Sequence, residues 1–255
     1  MEDFLREYPV ALAYCLALLH AHDERSLTPP WILHAFPETD RMMHALRGSP
    51  CAQGCPYCLE QLDARKALKR FFGFDAYREF DGVPLQEQAV EAAIAGKSLL
   101  AVFPTGGGKS ITFQVPALLA GKVEKGLTVV LSPLVSLMKD QVDNLERMDI
   151  TEAIALNGLL EPLERAEAVH RVETGEAAIL YLSPESLRSK TIERLLLQRR
   201  ITRFVIDEAH CFSAWGQDFR VDYLHIADFI RDLCEKKRLE SILPVSCFTA
   251  TAKPN

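Results

Sequence analysis

The chain has 255 residues, 48% of them hydrophobic, with a formal net charge of −6 and seven cysteines. That length suits one domain of ordinary size plus a smaller region, and the hydrophobic content excludes a disordered polymer. The acidic balance excludes an overall basic field for nucleic acid, so any such site has to be local.

The opening "MEDFLREYPVALAYCLALLH" is apolar from Pro9 to Leu19. Glu2, Asp3 and Glu7 against Arg6 give it the wrong charge for a signal peptide, and no run in the chain reaches the length of a membrane span. Pro29, Pro30 and Pro37 interrupt the helical pattern and mark a small separate region, so residues 1–65 are expected to form a mainly helical appendage. Within it "CAQGCPYC" places Cys51, Cys55 and Cys58 at C-x₃-C-x₂-C spacing, which suits thiolates gathered around zinc or an iron–sulfur cluster. Cys15, His34 and His44 are candidates for a fourth ligand, and three reduced thiols in a turn without metal are the alternative. Cys211, Cys234 and Cys247 read as packing residues.

After residue 65 strand and helix patterns alternate. The strand candidates are "SLLAVF", "LTVVLS", "EAIAL", "AAILYLS", "RFVID" and "VSCFTA". Between them apolar residues recur at helical spacing, as in Leu134, Leu137, Met138, Val142 and Leu145, or Tyr223, Ile226, Phe229, Ile230 and Leu233. Alternation of this kind predicts an α/β fold, a parallel sheet with helices on both faces, over residues 66–255.

The first strand leads into "FPTGGGKSIT", and "KSITFQVPALLA" after it reads as a helix running to a turn at Gly121. A strand, a glycine-rich loop and a helix start together make an anion site. Unpaired N–H groups and the positive end of the helix dipole point into the loop, and glycines let the backbone approach closely. Thr105, Gly106, Gly107 and Gly108 would cradle phosphates, Lys109 would reach the outer ones, and the Ser110 hydroxyl would ligate magnesium. The long form of this motif has glycine where this chain has Phe103, so the loop is a variant.

The strand "RFVID" carries Asp207 and Glu208 at its carboxyl end, where ligands lie in parallel α/β sheets. Asp207 suits a magnesium ligand and Glu208 the base that orients and deprotonates an attacking water; an acidic helix cap is the plainer reading of the pair. Together the two elements predict an ATPase using ATP and Mg²⁺.

In this order "PTGGGKS", "SPLVSLMKDQV", "YLSPESL", "DEAHCFSAWGQDFRVDY" and "FTATA" resemble the motifs of superfamily 2 helicases, and the tract after DEAH resembles that of the RecQ family of DNA helicases. Upstream, "FFGFDAYREFDGVPLQEQAV" resembles the adenine-reading segment of that family, with Arg78 and Gln86 as the matching residues. The glutamine follows the arginine by eight residues, further than in the family pattern, as though "DGVPL" were inserted. The resemblance spans about Leu68 to Asn255 and implies a RecA-like first motor domain of an ATP-dependent 3′–5′ DNA helicase, with a second RecA-like domain in the same full-length chain. It implies that His210 and Gln217 relay between metal and nucleic acid. It implies too that Trp215, Phe212, Phe219 and Arg220 hold a single strand, and that Ser132, Lys139 and Ser183, with Arg188 and Lys190 near them, lie along its backbone. A core aromatic is the plainer reading of Trp215, and solvated surface charge that of the basic residues. The implied compartment is the cytoplasm, at the nucleoid. An RNA helicase and a nucleotide-switched binding module without catalysis are the competing functions.

Overall fold

Each of the six apolar segments becomes a strand. The computed structural model describes residues 6–20, 36, 38–39, 42, 56–104, 106–210, 217–239 and 241–250. The strands are β1 (Leu99–Val102), β2 (Leu127–Leu131), β3 (Ala153–Leu156), β4 (Ile179–Leu182), β5 (Ile201–Ile206) and β6 (Val245–Thr249). They form one sheet in the order β1-β6-β5-β2-β4-β3, and every pairing is parallel. β2 and β4 are buried along their whole length, as strands covered on both faces must be.

Among the described residues the helices, in chain order, are α1 (Pro9–His20), α2 (Pro56–Gln61), α3 (Ala64–Phe72), α4 (Leu85–Ile94), α5 (Ile111–Glu124), α6 (Val135–Glu146), α7 (Pro162–Glu173), α8 (Lys190–Gln198) and α9 (Gln217–Lys236). A 3₁₀ turn spans Pro184–Arg188. Alternate residues of the strands feed two cores. One joins Val130, Tyr181 and Val205 to Phe113 and Leu118 of α5 and to Ala64, Leu68 and Phe72 of α3. The other joins Val129, Leu180 and Phe204 to Ile192 and Leu196 of α8 and to Ile226, Phe229 and Leu233 of α9. The sheet therefore carries helices on both faces, the α/β architecture expected, and α3 belongs to the sheet's own core.

The turn expected at Gly121 is absent, and α5 continues through it to Glu124. A Cβ at this glycine would lie 2.4 Å from Cβ of Ala178, so glycine serves here to let helix and strand approach. In the N-terminal region Leu12, Cys15 and Met42 pack together, and the Cys15 thiol points at Thr39 O across 3.8 Å. Two buried arginines, not anticipated from the sequence, tie helix ends to the sheet. Arg199 donates to Val172 O, Lys125 O and Ala177 O, and Arg203 to Ala93 O, Lys97 O and Ser246 Oγ. Each guanidinium thus sits among the carbonyls at a helix carboxyl end, where a cation is favoured. Burial alone lowers both to about 10.

Candidate nucleotide and metal site

β1 ends at Val102, and Phe103 turns inward, 2% exposed, to pack against Phe80 and Phe248 at ring distances of 5.7 and 6.4 Å. This is why an aromatic is tolerated where the longer motif has glycine: the side chain serves as the floor of the loop. Gly106 and Gly108 take φ of +73° and +69°. At Gly107 a Cβ would stand 2.8 Å from Pro104 O and 3.2 Å from the Phe80 ring, and at Gly108 2.7 Å from Gln86 Nε2. At Gly107 there is room for backbone alone, and at Gly106 and Gly108 the left-handed φ favours glycine, as suits a cradle for phosphate. Gly107→Ala should force it open and weaken nucleotide binding about tenfold or more while the far-ultraviolet circular dichroism stays unchanged. Titration with a fluorescent ATP analogue checks this.

The segment "DGVPL" folds out of the way. Phe80 and Val83 exchange both backbone hydrogen bonds at 2.9 Å, and Asp81 and Gly82 between them both have positive φ, which is a two-residue hairpin turn of the primed type. The extra residues therefore leave Gln86 beside Arg78. Gln86 Oε1 accepts from Arg78 N–H at 2.8 Å, while its Nε2 donates to Gly107 O at 2.8 Å and to Gly108 O at 3.1 Å. Arg78 Nη1 donates to Gly106 O at 3.2 Å. Gln86 is 2% exposed, with its Oε1 held by the Arg78 backbone and its Nε2 by the loop.

Opposite the loop, β5 delivers Asp207 and Glu208. Lys109 Nζ lies 2.7 Å from Asp207 Oδ1 and 2.5 Å from Glu208 Oε1. Burial opposes the Lys109 charge, but the two carboxylates outweigh it and hold the ammonium above its ordinary value. Burial likewise pushes Asp207 up, against the pull of Lys109. Glu208 sits at φ +52°, a left-handed conformation uncommon for glutamate, with its N–H donated to Asp207 Oδ1 and Ala209 N–H donated to Phe248 O. That bend sends the two consecutive carboxylates to the same cation. Glu208 Oε2 also lies 3.2 Å from His210 Nδ1, which is 3.3 Å from Thr249 Oγ1 of β6. The chain from Lys109 to the "FTATA" strand is thus continuous.

The residues fit magnesium and a polyphosphate. Ser110 precedes α5 without a side-chain capping bond, and Asp207, just past the end of β5, lies 2.7 Å from the adjacent Lys109.

A DEAD/DEAH box helicase family model matches residues 83–255. The chain belongs to the DEAD/DEAH box helicase family. Among curated relatives, it is 39% identical over 197 residues to ATP-dependent DNA helicase Q5 of Rattus norvegicus, covering 74% of this chain and 19% of that one. It is 39% identical over 189 residues to ATP-dependent DNA helicase RecQ of Synechocystis sp., covering 73% and 37%. The helicase chain therefore spans well under half the length of these relatives. The DUF1998 helicase MrfA bound to DNA shares the fold, with a TM-score of 0.57 at 23% identity over 75% of this chain and 26% of its own.

Thr105, Cys51, Cys55, Phe212 and Trp215, with His34 and His44, lie outside the described residues, and for Cys58, Gln217, Phe219 and Arg220 only the helical backbone is described. Among the described residues no group of three or more His, Cys, Asp or Glu is placed to hold a metal. Lys139, Arg188 and Lys190 are exposed, whereas Ser132 and Ser183 are 2% and 4% exposed, so neither hydroxyl is presented to a nucleic-acid backbone in this state. Among the described residues no helix is long and apolar enough to cross a membrane.

Proposed function

We propose that this chain is the first motor lobe of an ATP-dependent DNA helicase of RecQ type. The observation that carries the proposal is the meeting of Lys109 with Asp207 and Glu208 across the carboxyl edge of the sheet, at 2.7 and 2.5 Å. On this reading Lys109 leaves the carboxylates to hold the outer phosphates of ATP, and Gly106, Gly107 and Gly108 offer backbone N–H groups to the rest. Ser110 and Asp207 hold the metal, which when bound supplies positive charge to the transferring phosphoryl group. Glu208 then orients the attacking water and accepts its proton, and His210 with Thr249 carries the state of that site to β6. Arg78 and Gln86 read the adenine once the loop releases the Gln86 amide. Lys139 on α6, which is exposed, lines the path of the strand, and Trp215, Phe219 and Arg220 stack on and grip it.

A second RecA-like domain in the full-length protein closes on the nucleotide, and the protein works in the cytoplasm at the nucleoid. The test is strand separation by the full-length protein on duplexes with a 3′ or a 5′ single-stranded tail. ATP-dependent separation from the 3′ tail is expected, and no separation of either substrate would refute the reading.

Residues 1–65 form the appendage of this motor on the same reading, with Cys51, Cys55 and Cys58 as zinc ligands. Elemental analysis should then find about one zinc per chain, lost in Cys55→Ser. Stoichiometric iron would replace zinc by a cluster, and no metal would leave three thiols.

A further inference from the structure

The register of the sheet lines up four polar residues one step beyond its last paired row. Leu131 of β2 pairs with Ile206 of β5 on one side and with Leu182 of β4 on the other, and Leu182 pairs with Leu156 of β3. The next residue of each strand is Asp207, Ser132, Ser183 and Asn157, at 8%, 2%, 4% and 8% exposure. Side chains alternate along a strand, so this row shares a face with Val205, Val130 and Tyr181, the face that α5 covers.

Three of the four have partners. Asp207 is held by Lys109 at 2.7 Å and by the Glu208 N–H at 2.9 Å. Ser183 Oγ pairs with Ser186 Oγ at 2.8 Å, and Asn157 Oδ1 accepts from Leu159 N–H at 2.8 Å. The fourth, Ser132 Oγ, has none, and among the described residues the other buried side-chain atom of this kind is Arg199 Nε. A hydroxyl this deep without a partner is unfavourable, and it stands in the strand beside the carboxylate that the site depends on.

We propose that Ser132 is a positioning residue for Asp207, its hydroxyl donating to the carboxylate when Lys109 turns to the phosphates. The inference rests on the nucleotide reading above. One ammonium cannot hold Asp207 and the outer phosphates at once; the Glu208 N–H then remains on Oδ1, and a second donor is needed to fix the carboxylate's orientation toward the metal. Paired strands run about 4.8 Å apart, within reach of a serine hydroxyl turned to the same face. The exchange fixes the orientation of Asp207 only in the loaded state and leaves Ser132 idle in the free one. Ser132 thereby acts inward on the metal carboxylate instead of outward on a DNA phosphate.

The measurement is affinity for a fluorescent ATP analogue, with Mg²⁺ and with EDTA, together with the melting temperature of the nucleotide-free protein. Ser132→Ala should melt at or above the wild-type temperature, bind the Mg²⁺ complex about tenfold more weakly, and bind the metal-free analogue as the wild type does. Ser132→Thr, which keeps the hydroxyl, should recover most of the Mg²⁺-dependent affinity. Equal loss with and without Mg²⁺, a lowered melting temperature, or unchanged Mg²⁺-dependent affinity in Ser132→Ala would each overturn the role. Lys109→Ala in the same assay separates this from the parent reading, because analogue binding that survives that change would refute the nucleotide site itself.

Discussion

Lys109→Ala and Glu208→Gln should disable the protein in different ways. The first removes the ammonium that lies 2.7 and 2.5 Å from Asp207 and Glu208 and that the phosphates would recruit. It also leaves two carboxylates, 11% and 22% exposed, without their shared counter-charge, so ATP meets uncompensated negative charge at the loop. ATP binding should fall by at least about a hundredfold, a loss of roughly 3 kcal/mol, on the order found when one member of a buried ion pair is removed. Glu208→Gln keeps the volume and a hydrogen-bond acceptor but cannot take a proton. Binding should stay within a few fold of wild type while turnover falls by about 10² to 10⁴. Equilibrium titration and single-turnover hydrolysis on the same preparations separate the two effects. Normal turnover in Glu208→Gln would remove its assigned role.

Arg203→Met should unfold the protein more readily than any exposed charge change. The residue is 4% exposed and its guanidinium donates to Ala93 O, Lys97 O and Ser246 Oγ, so it holds the carboxyl end of α4 and the approach to β1 against β5 and β6. Methionine fills the space and offers no donor. Two buried acceptors, Ala93 O and Ser246 Oγ, and the part-buried Lys97 O then lose their partner, at about 1 to 3 kcal/mol for each that water cannot reach. A loss of about 3 kcal/mol or more is expected, lowering the melting temperature by roughly 6 to 12 °C in a chain of this size. Arg231→Ala is the control. That arginine is 60% exposed and pairs with Asp228 one turn away, a contact worth under about 0.5 kcal/mol. Equal melting temperatures for the two variants would show that Arg203 does not hold the sheet to α4.

The strands were legible because each is a short apolar run bounded by polar or glycine residues, and the pattern required a parallel sheet. The phosphate loop was legible from glycine and lysine spacing, and Asp207 and Glu208 from their place at the carboxyl end of an apolar strand, whereas the direct contact of Lys109 with both carboxylates was not. Other features depend on contacts that spacing does not encode. Gly121 looks like a helix end in sequence, and only the approach of Ala178 explains why the helix runs through it. The offset between Arg78 and Gln86 looks like a break in the motif, yet Asp81 and Gly82, a strong signal for a two-residue hairpin turn, close it. Arg203 sits in an apolar strand with nothing to announce its carbonyl partners. Ser132 reads as a surface contact from its motif and is buried because its neighbours in the row are contributed by strands remote in sequence.

The most direct measurement is ATP hydrolysis by the full-length protein without nucleic acid, with single-stranded DNA and with single-stranded RNA of the same sequence. A RecQ-type motor should hydrolyse slowly alone, accelerate strongly with DNA and little with RNA, and lose the DNA-stimulated rate in Glu208→Gln. A rate indifferent to DNA, or one that RNA raises equally, would contradict a DNA-driven motor built on Lys109, Asp207 and Glu208.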